Sequence, residues 1–409
     1  MATNRELDLV LWGATGFTGS LVAQYLAAQY PADELRWAIG GRSREKLEAL
    51  RASLPATAHA LEIIVADSHD GDALRALAAR SRVICSTVGP YALYGSPLVE
   101  ACVAEGTHYC DLTGEPHWIR RMLDAHEVRA QESGARIVHC CGFDSIPSDL
   151  GCWFINEQMR KLQGRPCSEV KLRVRKLRGG VSGGTVASLF NIISEARSDR
   201  NTARVMMHPY SLNPADARAG SDQAEATGPH YDPDCNAWTA PFVMGAINTK
   251  IVRRSNAIGG FPYGRDFRYS EAVNMGPGVK GWLRAVASSV GLGVVLLAAR
   301  FEFARDLMTR RWLPKPGSGP SEKQREAGSF ALQLIGKLDG NPAIKLTATV
   351  HGKRDPGYGA TSRMLAESAV CLAKDELGVG GGFWTPATAM AEPLLQRLAD
   401  RADVTISLD

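Results

Sequence analysis

Three glycines, Gly13, Gly16 and Gly19, lie three residues apart near the amino terminus, between an apolar run and a helical pattern. Where a strand ends and a helix begins, free backbone N–H groups and the helix dipole both favour an anion. Glycines at this point would permit a tight turn, close approach of a diphosphate to the backbone and close packing of the helix on the strand. We therefore predict a diphosphate-binding loop with contacts from Gly13, Gly16, Thr18 and Gly19.

The end of the second predicted strand carries a basic residue. In the stretch AIGGRSREKL, Arg42 and Ser43 stand where folds that bind NAD place an acid for the ribose hydroxyls. A guanidinium and a hydroxyl suit a 2′-phosphate instead, so the sequence predicts NADP(H) as the cofactor. A solvated position at a helix start is the alternative for Arg42. Asp67, after the third strand, would lie beside the adenine or cap the next helix, and both interpretations stay open.

The fourth strand ends in STVGPYALYG, at the edge of the sheet where the nicotinamide end of a dinucleotide should lie. Thr87, Gly89 and Pro90 are predicted to line this part of the cofactor site. Tyr91 and Tyr94 are the favoured proton donors, although packing is the commoner role of a tyrosine in such a loop.

The loops after the fifth and sixth strands bring acidic and hydroxyl side chains to the same edge. Asp111, Glu115, Asp144 and Ser145 are therefore candidates for substrate contacts, and Asp144 is a third candidate for the catalytic group. The alternative for Asp144 is a cap on the helix that begins before Pro147.

Competing motifs are weaker. The stretch GVSGG at 180–184 matches a nucleophile elbow, but it follows a run in which apolar and basic residues alternate rather than a buried parallel strand, so a serine hydrolase is disfavoured. No tyrosine is followed four positions later by lysine, so the Tyr/Lys acid of classical short-chain dehydrogenases is missing. The HCC stretch at 139–141 lies in a buried-strand pattern, and we predict no metal site.

At 409 residues the chain is too long for a single hydrophobic core, so we expect more than one domain. The order of the predicted elements indicates an α/β fold. Through residues 1–150 strand-like runs alternate with helical patterns, which is typical of a doubly wound parallel sheet of the Rossmann type. The sequence of residues 151–355 predicts a mixed α+β substrate domain with a long loop at about 313–330 that is either a lid or disordered. The sequence of residues 356–409 predicts two helices, and the second of them begins at Thr385 and Pro386. The predicted strands of the second domain are 169–180, 246–258, 267–273 and 343–352.

Charge and cysteine content narrow the partners and the location. The net charge of +4 is small and the basic residues are interspersed with acidic ones, which disfavours a nucleic-acid partner. Nine scattered cysteines without CxxC spacing indicate a reducing compartment. The first strand follows a charged amino terminus rather than a signal sequence, so a cytoplasmic location is expected.

One apolar segment complicates this view. Residues 285–299 carry no charge, lie between Arg284 and Arg300, and have Trp282 just upstream. The segment is shorter than the roughly 20 residues needed to cross a bilayer. We therefore expect a buried core helix, with a peripheral contact between residues 282–300 and a membrane or lipid substrate as the alternative.

Several blocks carry a family resemblance: GATGFTG, GGRSREKL, GPYALYGSPLVEACVAEGTHYCDLTGE, CGFDSIPSDLG, GYGATSRMLAESAVCLA and WTPATAMAEPLLQRL. They lie in order from Gly13 nearly to the end, and the chain resembles the saccharopine dehydrogenase-like oxidoreductases, within them the trans-acting enoyl reductase branch. The resemblance implies NADP(H) and hydride delivery to an activated carbon–carbon double bond of an acyl or polyketide-type thioester, small or carrier-bound. It carries over the cofactor contacts of Gly13, Thr15, Gly16, Phe17 and Arg42.

The resemblance also implies a path for the tail. In saccharopine reductases the substrate domain is inserted and the chain then returns to the nucleotide domain, which would bring Tyr358 towards the active site. A saccharopine-type imine or amino-acid reductase and a non-catalytic dinucleotide-binding scaffold at a membrane or lipid surface remain as rival functions. Homodimer formation stays open.

Overall fold

The computed structural model describes residues 5–179, 183–222, 227–301, 303, 305, 319–339 and 344–409. Its strands are β1 (Leu7–Trp12), β2 (Trp37–Gly41), β3 (Glu62–Val65), β4 (Ser81–Ser86), β5 (His108–Asp111), β6 (Arg136–Val138), β7 (Glu169–Arg178), β8 (His230–Asp232), β9 (Ala237–Pro241), β10 (Arg268–Gly276), β11 (Ser329–Lys337), β12 (Lys345–Gly352), β13 (Gly382–Trp384) and β14 (Val404–Leu408). Its α-helices are α1 (Phe17–Gln29), α2 (Arg44–Ser53), α3 (Gly71–Arg80), α4 (Tyr91–Tyr94), α5 (Ser96–Glu105), α6 (Pro116–Ser133), α7 (Ile146–Gln163), α8 (Gly183–Ser198), α9 (Arg200–Met207), α10 (Gly245–Ile258), α11 (Gly278–Ala298), α12 (Glu322–Glu326), α13 (Thr361–Lys374) and α14 (Pro386–Arg401).

The first sheet has the strand order β13-β6-β5-β4-β1-β2-β3, and all its pairings are parallel. Every residue of β1 is buried, because helices cover both faces of such a sheet. The order reverses at β1, which pairs with β2 on one side and β4 on the other. This confirms the predicted doubly wound sheet and puts its ligand-binding crevice at the carboxyl ends of β1 and β4.

The second sheet is mixed, with the order β14-β12-β11-β7-β10-β9-β8. Its β7–β10 pair is parallel and its other pairings are antiparallel. Three of the four predicted strands match β7, β10 and β12.

The prediction of a strand at 246–258 was wrong, because this stretch forms the buried helix α10. Its polar side chains find partners inside the protein rather than facing water. Lys250 donates to the carbonyl of His208, Arg253 pairs with Asp222, and Arg254 donates to the carbonyl of Leu212. In this stretch the polar residues therefore do not indicate a strand with one solvent-exposed face and one buried face.

The tail returns to the first domain through α13. Glu367, fully buried on this helix, accepts hydrogen bonds from the hydroxyls of Tyr25 and Tyr30, at 2.7 and 2.8 Å. Lys374, the last residue of α13, donates to the carboxylate of Asp8 on β1 at 2.8 Å. Beyond α13, β13 pairs with β6 of the first sheet and β14 pairs with β12 of the second, so the tail joins both sheets.

The expectation of a buried core helix at 285–299 was wrong. Residues 285–298 belong to α11, and only 11% of its apolar 18-residue stretch is buried. Within the part of the chain that the structure describes, α11 is the one helix long and apolar enough to cross a membrane by length and composition.

Two predicted features fall partly outside the described residues. Of the lid loop, 313–318 lies outside them, whereas α12 and the first residues of β11 occupy the rest. The side chains of Ser321 and Gln324 form a capping box at the start of α12. Of the GVSGG stretch, 180–182 lies outside the described residues, and α8 begins at Gly183.

Candidate active site

The loop between β1 and α1 has the backbone geometry of an anion site. Gly13 has φ of +82°, a conformation that favours glycine, and its N–H donates to the carbonyl of Gly40 at 3.0 Å. The first helical hydrogen bond of α1 runs from the N–H of Ser20 to the carbonyl of Gly16. The amides of Phe17, Thr18 and Gly19 therefore have no intrahelical acceptor, and no described side chain caps them.

The packing around this loop leaves no room for larger residues. A Cβ on Gly13 would lie 2.6 Å from Val88 Cγ2, and one on Gly19 would lie 2.9 Å from Ala14 Cα. Thr15 and Gly16 are exposed at the edge of the sheet. The structure thus presents free amides at the edge of the sheet, and these residues fit a dinucleotide diphosphate.

Arg42 directly follows β2 and is exposed. Among the described residues its guanidinium forms no hydrogen bond or ion pair. Ser43 is the N-cap of α2, because its hydroxyl accepts the N–H of Lys46 at 3.3 Å. A cation without an ion-pair partner at this strand end, with no acid beside it on β2, fits the 2′-phosphate of NADP(H).

Asp67 does not cap α3, so the capping interpretation was wrong. Asp70 caps that helix by accepting the N–H of Ala73 at 3.0 Å. Asp67 instead accepts the N–H of His69 at 2.9 Å. The hydrogen bonds from His69 lower the pKa of Asp67, and the charge of Arg42 adds to this effect. Asp67 and Arg42 therefore lie near one another after the neighbouring strands β3 and β2.

The loop after β4 is held by two side chains that sequence reasoning had given other roles. Thr87 donates its hydroxyl to the carbonyls of Trp12 and Gly13, at 3.2 and 3.0 Å, and so ties β4 to the diphosphate loop. Glu115, fully buried, accepts the N–H groups of Tyr91 and Ala92, both at 2.9 Å. Gly89 is exposed between these anchors, and Pro90 is partly exposed.

Tyr91 lies inside the protein. Its side chain is only 4% exposed, its hydroxyl donates to the carbonyl of Ser86 at 3.0 Å, and its ring centroid lies 5.4 Å from that of Trp118. Burial raises the pKa of Tyr91 well above its usual value of 10. A hydroxyl that is buried and already donating cannot reach a substrate, so this geometry argues against Tyr91 as the proton donor.

Tyr94 faces the other half of the crevice. Its ring meets the ring of His69 edge-on, with centroids 5.8 Å apart, and His69 follows β3. Because β3 and β4 are separated by β2 and β1, this contact turns Tyr94 towards the adenosine half. Its position does not favour a role at the nicotinamide end.

Asp144 is the remaining candidate, and its surroundings suit proton transfer. Asp144 is partly exposed and lies beside Gly114. A Cβ added to Gly114 would be 3.8 Å from Oδ2 of Asp144. Among the described residues its carboxylate forms no hydrogen bond. Burial raises its pKa to about 6. The N-cap of α7 is Ser145, so the capping interpretation of Asp144 was wrong.

The other acidic and hydroxyl candidates at this edge are fully buried, so their interpretation as substrate contacts was wrong. Asp111 accepts a hydrogen bond from the ring of His139 at 2.7 Å and the N–H of Thr113 at 3.1 Å. Ser145 donates to the side chain of Asn248 at 3.1 Å. These groups position the loops that end β5 and β6. No cluster of His, Cys, Asp or Glu that could hold a metal ion occurs within the described ranges.

Contacts from the returning chain cover the start of α1, and they include Tyr358, which was expected to approach this site, and Arg325, which was not. The ring of Phe17 meets that of Tyr358 with centroids 4.6 Å apart, and the guanidinium of Arg325 lies 5.6 Å from the Phe17 ring. A Cβ on Gly319 would collide with the Phe17 ring. Residues 319–325 therefore lie against the diphosphate loop and bring a cation to it.

A separate cleft of about 530 Å³ opens between α6 and α9. None of the residues of the diphosphate loop or the strand ends lines it. Its lining includes Arg120, Arg121, Arg204 and Arg218. We assign the reaction to the sheet edge rather than to this cleft, because the edge contains the free amides and Asp144.

Comparison with known proteins agrees with this geometry. A family model described as the saccharopine dehydrogenase NADP binding domain matches residues 9–138. A protein of Mycobacterium tuberculosis, whose name assigns it provisionally to the trans-acting enoyl reductases, is 41% identical over 97% of this chain and 96% of its own length. The trans-acting enoyl reductase of Mycobacterium leprae is 38% identical over 96% of both chains.

Among solved structures, apo saccharopine dehydrogenase (L-Glu forming) from Saccharomyces cerevisiae superposes with a TM-score of 0.56. It covers 98% of this chain and 99% of that one at 13% identity, so this likeness shows the fold alone. The family model confirms the predicted NADP(H)-binding domain. By its full-length identity, the chain belongs to the trans-acting enoyl reductase family of saccharopine dehydrogenase-like oxidoreductases.

Proposed function

We propose that the protein reduces the double bond of an enoyl thioester of an acyl or polyketide-type chain held on a separate carrier, and that Asp144 supplies the proton. Family membership supports the reaction class. The single observation that carries the assignment of the acid is the carboxyl of Asp144, partly exposed beside Gly114 at the edge of the sheet and without a hydrogen-bond partner among the described residues.

When bound, NADPH supplies hydride to the β-carbon of the enoyl thioester. The α-carbon then needs a proton. The O–H bond of Asp144 breaks, the C–H bond at the α-carbon forms, and the carboxylate regains a proton from solvent because it is partly exposed. A pKa of about 6 keeps a useful fraction of this group protonated near neutral pH.

The rest of the site holds the reacting groups in place. The free amides of the diphosphate loop and Arg42 would bind the anionic parts of the cofactor. Glu115 fixes the loop after β4 through two backbone N–H groups. Ser145, next to Asp144, is linked through Asn248 to Glu271 on β10, with the last two 2.9 Å apart. This buried chain of hydrogen bonds ties the residue next to the acid to the second sheet.

The carrier is the finer part of the proposal. The related mycobacterial proteins are named as acting in trans, which fits a substrate attached to another protein. The partial exposure of Asp144 at the carboxyl edge of the first sheet would let a thioester reach it on a flexible arm.

The test is NADPH oxidation with a crotonyl thioester, compared with a 2-oxo acid plus an amine. We expect turnover with the thioester and its loss, by about a hundredfold or more, in Asp144→Asn. The control is Asp400→Asn, which changes an exposed carboxylate near the end of α14. Turnover with the oxo acid and amine instead would indicate an imine reductase, and tight NADPH binding without turnover on either would indicate a scaffold.

A further inference from the structure

The helix α11 and the residues just after it expose a continuous apolar surface. Ten of the nineteen large apolar residues that are exposed in the described chain lie between Val279 and Phe303. Val290, Val294 and Leu297 are 59%, 60% and 56% exposed. A soluble monomer normally scatters such side chains singly, so this concentration indicates a surface that contacts something apolar.

Every charged residue of α11 is a cation, and the first acid after the helix is Glu302. Residues 276–301 contain no Asp or Glu, and 285–299 contain no charge at all. Lys280 and Arg284 lie in the first two turns of α11, and Arg300 follows its end. Trp282, 42% exposed, lies between the two amino-terminal cations. An uncharged apolar stretch with cations and a tryptophan at its borders complements the interior and the headgroups of an anionic lipid layer.

The base of α11 is fixed and its far half is free. Gly281 and Ala285 are the buried residues of the helix, and its base packs on β9 and β10. From Val290 to Leu297 every residue except Leu292 is exposed. The apolar half of α11 therefore projects from the second sheet and is exposed around most of its circumference.

The topology excludes a simple crossing of a bilayer. The strand before α11 is β10 and the next described strand after it is β11, and both pair with β7 in the second sheet. Both ends of the segment therefore lie on the same side. The uncharged stretch is also only about 22 Å long as a helix, against a hydrocarbon thickness of about 30 Å.

A second copy of the chain fits this surface less well. In a two-fold dimer built on α11, the amino-terminal cations would face either their own counterparts or Arg300 of the other copy. Since 276–301 carry no acid, the parallel arrangement places like charges together, and the antiparallel one sets two cations against Arg300 with Glu302 as the acid nearest to it in sequence.

We propose that α11 inserts from one side into the surface of an anionic lipid bilayer, with the side chains of Val290, Val294 and Leu297 among the acyl chains and those of Lys280, Arg284 and Arg300 at the headgroups. This inference does not depend on the reaction proposed above.

The test is co-sedimentation of the full chain with vesicles of phosphatidylcholine alone or of equal parts phosphatidylcholine and phosphatidylglycerol. We expect binding to the anionic vesicles that is weakened at least about tenfold in the triple variant Val290→Ser, Val294→Ser, Leu297→Ser. The variant Lys280→Gln, Arg284→Gln should lose the preference for anionic vesicles and the salt dependence of binding.

The matched control replaces exposed apolar residues elsewhere, in Val65→Ser, Val128→Ser, Leu162→Ser, and should bind vesicles as the wild type does. NADPH affinity, unchanged in all variants, would show that they fold. Failure of the wild type to sediment with either vesicle, retention of binding by the α11 triple variant, or equal loss in the control variant would overturn the proposal. So would a wild-type dimer in sedimentation velocity that binds no vesicles and that the α11 triple variant converts to monomer.

Discussion

The ring of Tyr358 meets the ring of Phe17 edge-on, with centroids 4.6 Å apart. Phe17 is the first residue of α1, directly after the diphosphate loop, whereas Tyr358 belongs to the π-helical turn Pro356–Ala360 that leads from the second sheet into α13. The amino-terminal loop and the returning chain are thus in direct contact beside the predicted diphosphate loop. The guanidinium of Arg325 lies 5.6 Å from the same ring, so a cation stands beside the diphosphate loop.

The first prediction concerns Arg325. Arg325→Met should raise the Kd for NADPH about three- to tenfold, because a cation near the diphosphate is lost. Lys323→Met, an exposed position on the same helix, is the control and should leave the Kd unchanged. Fluorescence titration at low and high salt measures both. Because salt screens the interaction, the difference should shrink as salt is added. An unchanged Kd at low salt would mean that Arg325 only packs on Phe17.

The second prediction concerns the choice of cofactor. Arg42→Ala should raise the Kd for NADPH about ten- to a hundredfold and leave that for NADH nearly unchanged, since hydrogen bonds to charged groups contribute about 1.5–3 kcal/mol. Arg44→Ala is the matched control, because Arg44 is exposed on the same loop-to-helix stretch and pairs with Glu48. If the preference for NADPH survives in Arg42→Ala, the 2′-phosphate lies elsewhere.

The first sheet and its cofactor loop could be predicted because local sequence dictates them. Strand and helix patterns alternate at the lengths that parallel crossovers need, and Gly13 and Gly19 occupy positions where a Cβ would collide. The start of α14 could also be predicted, because Thr385 caps it through the N–H of Thr388. In each case the signal and the structure it specifies lie within a few residues of one another.

The errors arose where distant parts of the chain decide the outcome. Helix α10 is polar and buried because partners such as Asp222 and Glu127 come from other elements. The sequence cannot show whether the hydroxyl of Tyr91 has a hydrogen-bond partner. In the fold this hydroxyl donates to the carbonyl of Ser86. The approach of Arg325 to Phe17 depends on how the second sheet folds back. No local pattern carries that information.

The third prediction is a pH dependence of both rate and stability at Asp144. As an acid it must be protonated, so kcat should fall as pH rises through about 6. A pKa raised by folding contributes stability that is full below about 4 and is lost as pH rises through 6. Asp144→Asn should therefore be more stable than the wild type at pH 8, by up to about 3 kcal/mol, and nearly equal at pH 4. Urea unfolding at both pH values measures this.

The control for Asp144 is again Asp400→Asn, whose stability should follow that of the wild type at both pH values. If Asp144→Asn is no more stable at pH 8, the carboxyl of Asp144 is hydrated and ionised in the fold. If the fall of kcat above pH 6 persists in a slow Asp144→Asn enzyme, another group supplies the proton.

The last prediction concerns Asp8, which joins the tail to the first strand. Burial raises its pKa, but hydrogen bonds from Lys374 and Arg36 outweigh this and lower it to about 2. A pKa lowered by folding contributes stability that is full above about 4 and is lost as pH falls towards 2. Asp8→Asn should cost about 2 kcal/mol at pH 7, and the difference from the wild type should shrink by pH 3. Urea unfolding at the two pH values measures it, with the exposed Asp33→Asn as control. An equal cost at both pH values would show that the pairing with Lys374 contributes through packing rather than charge.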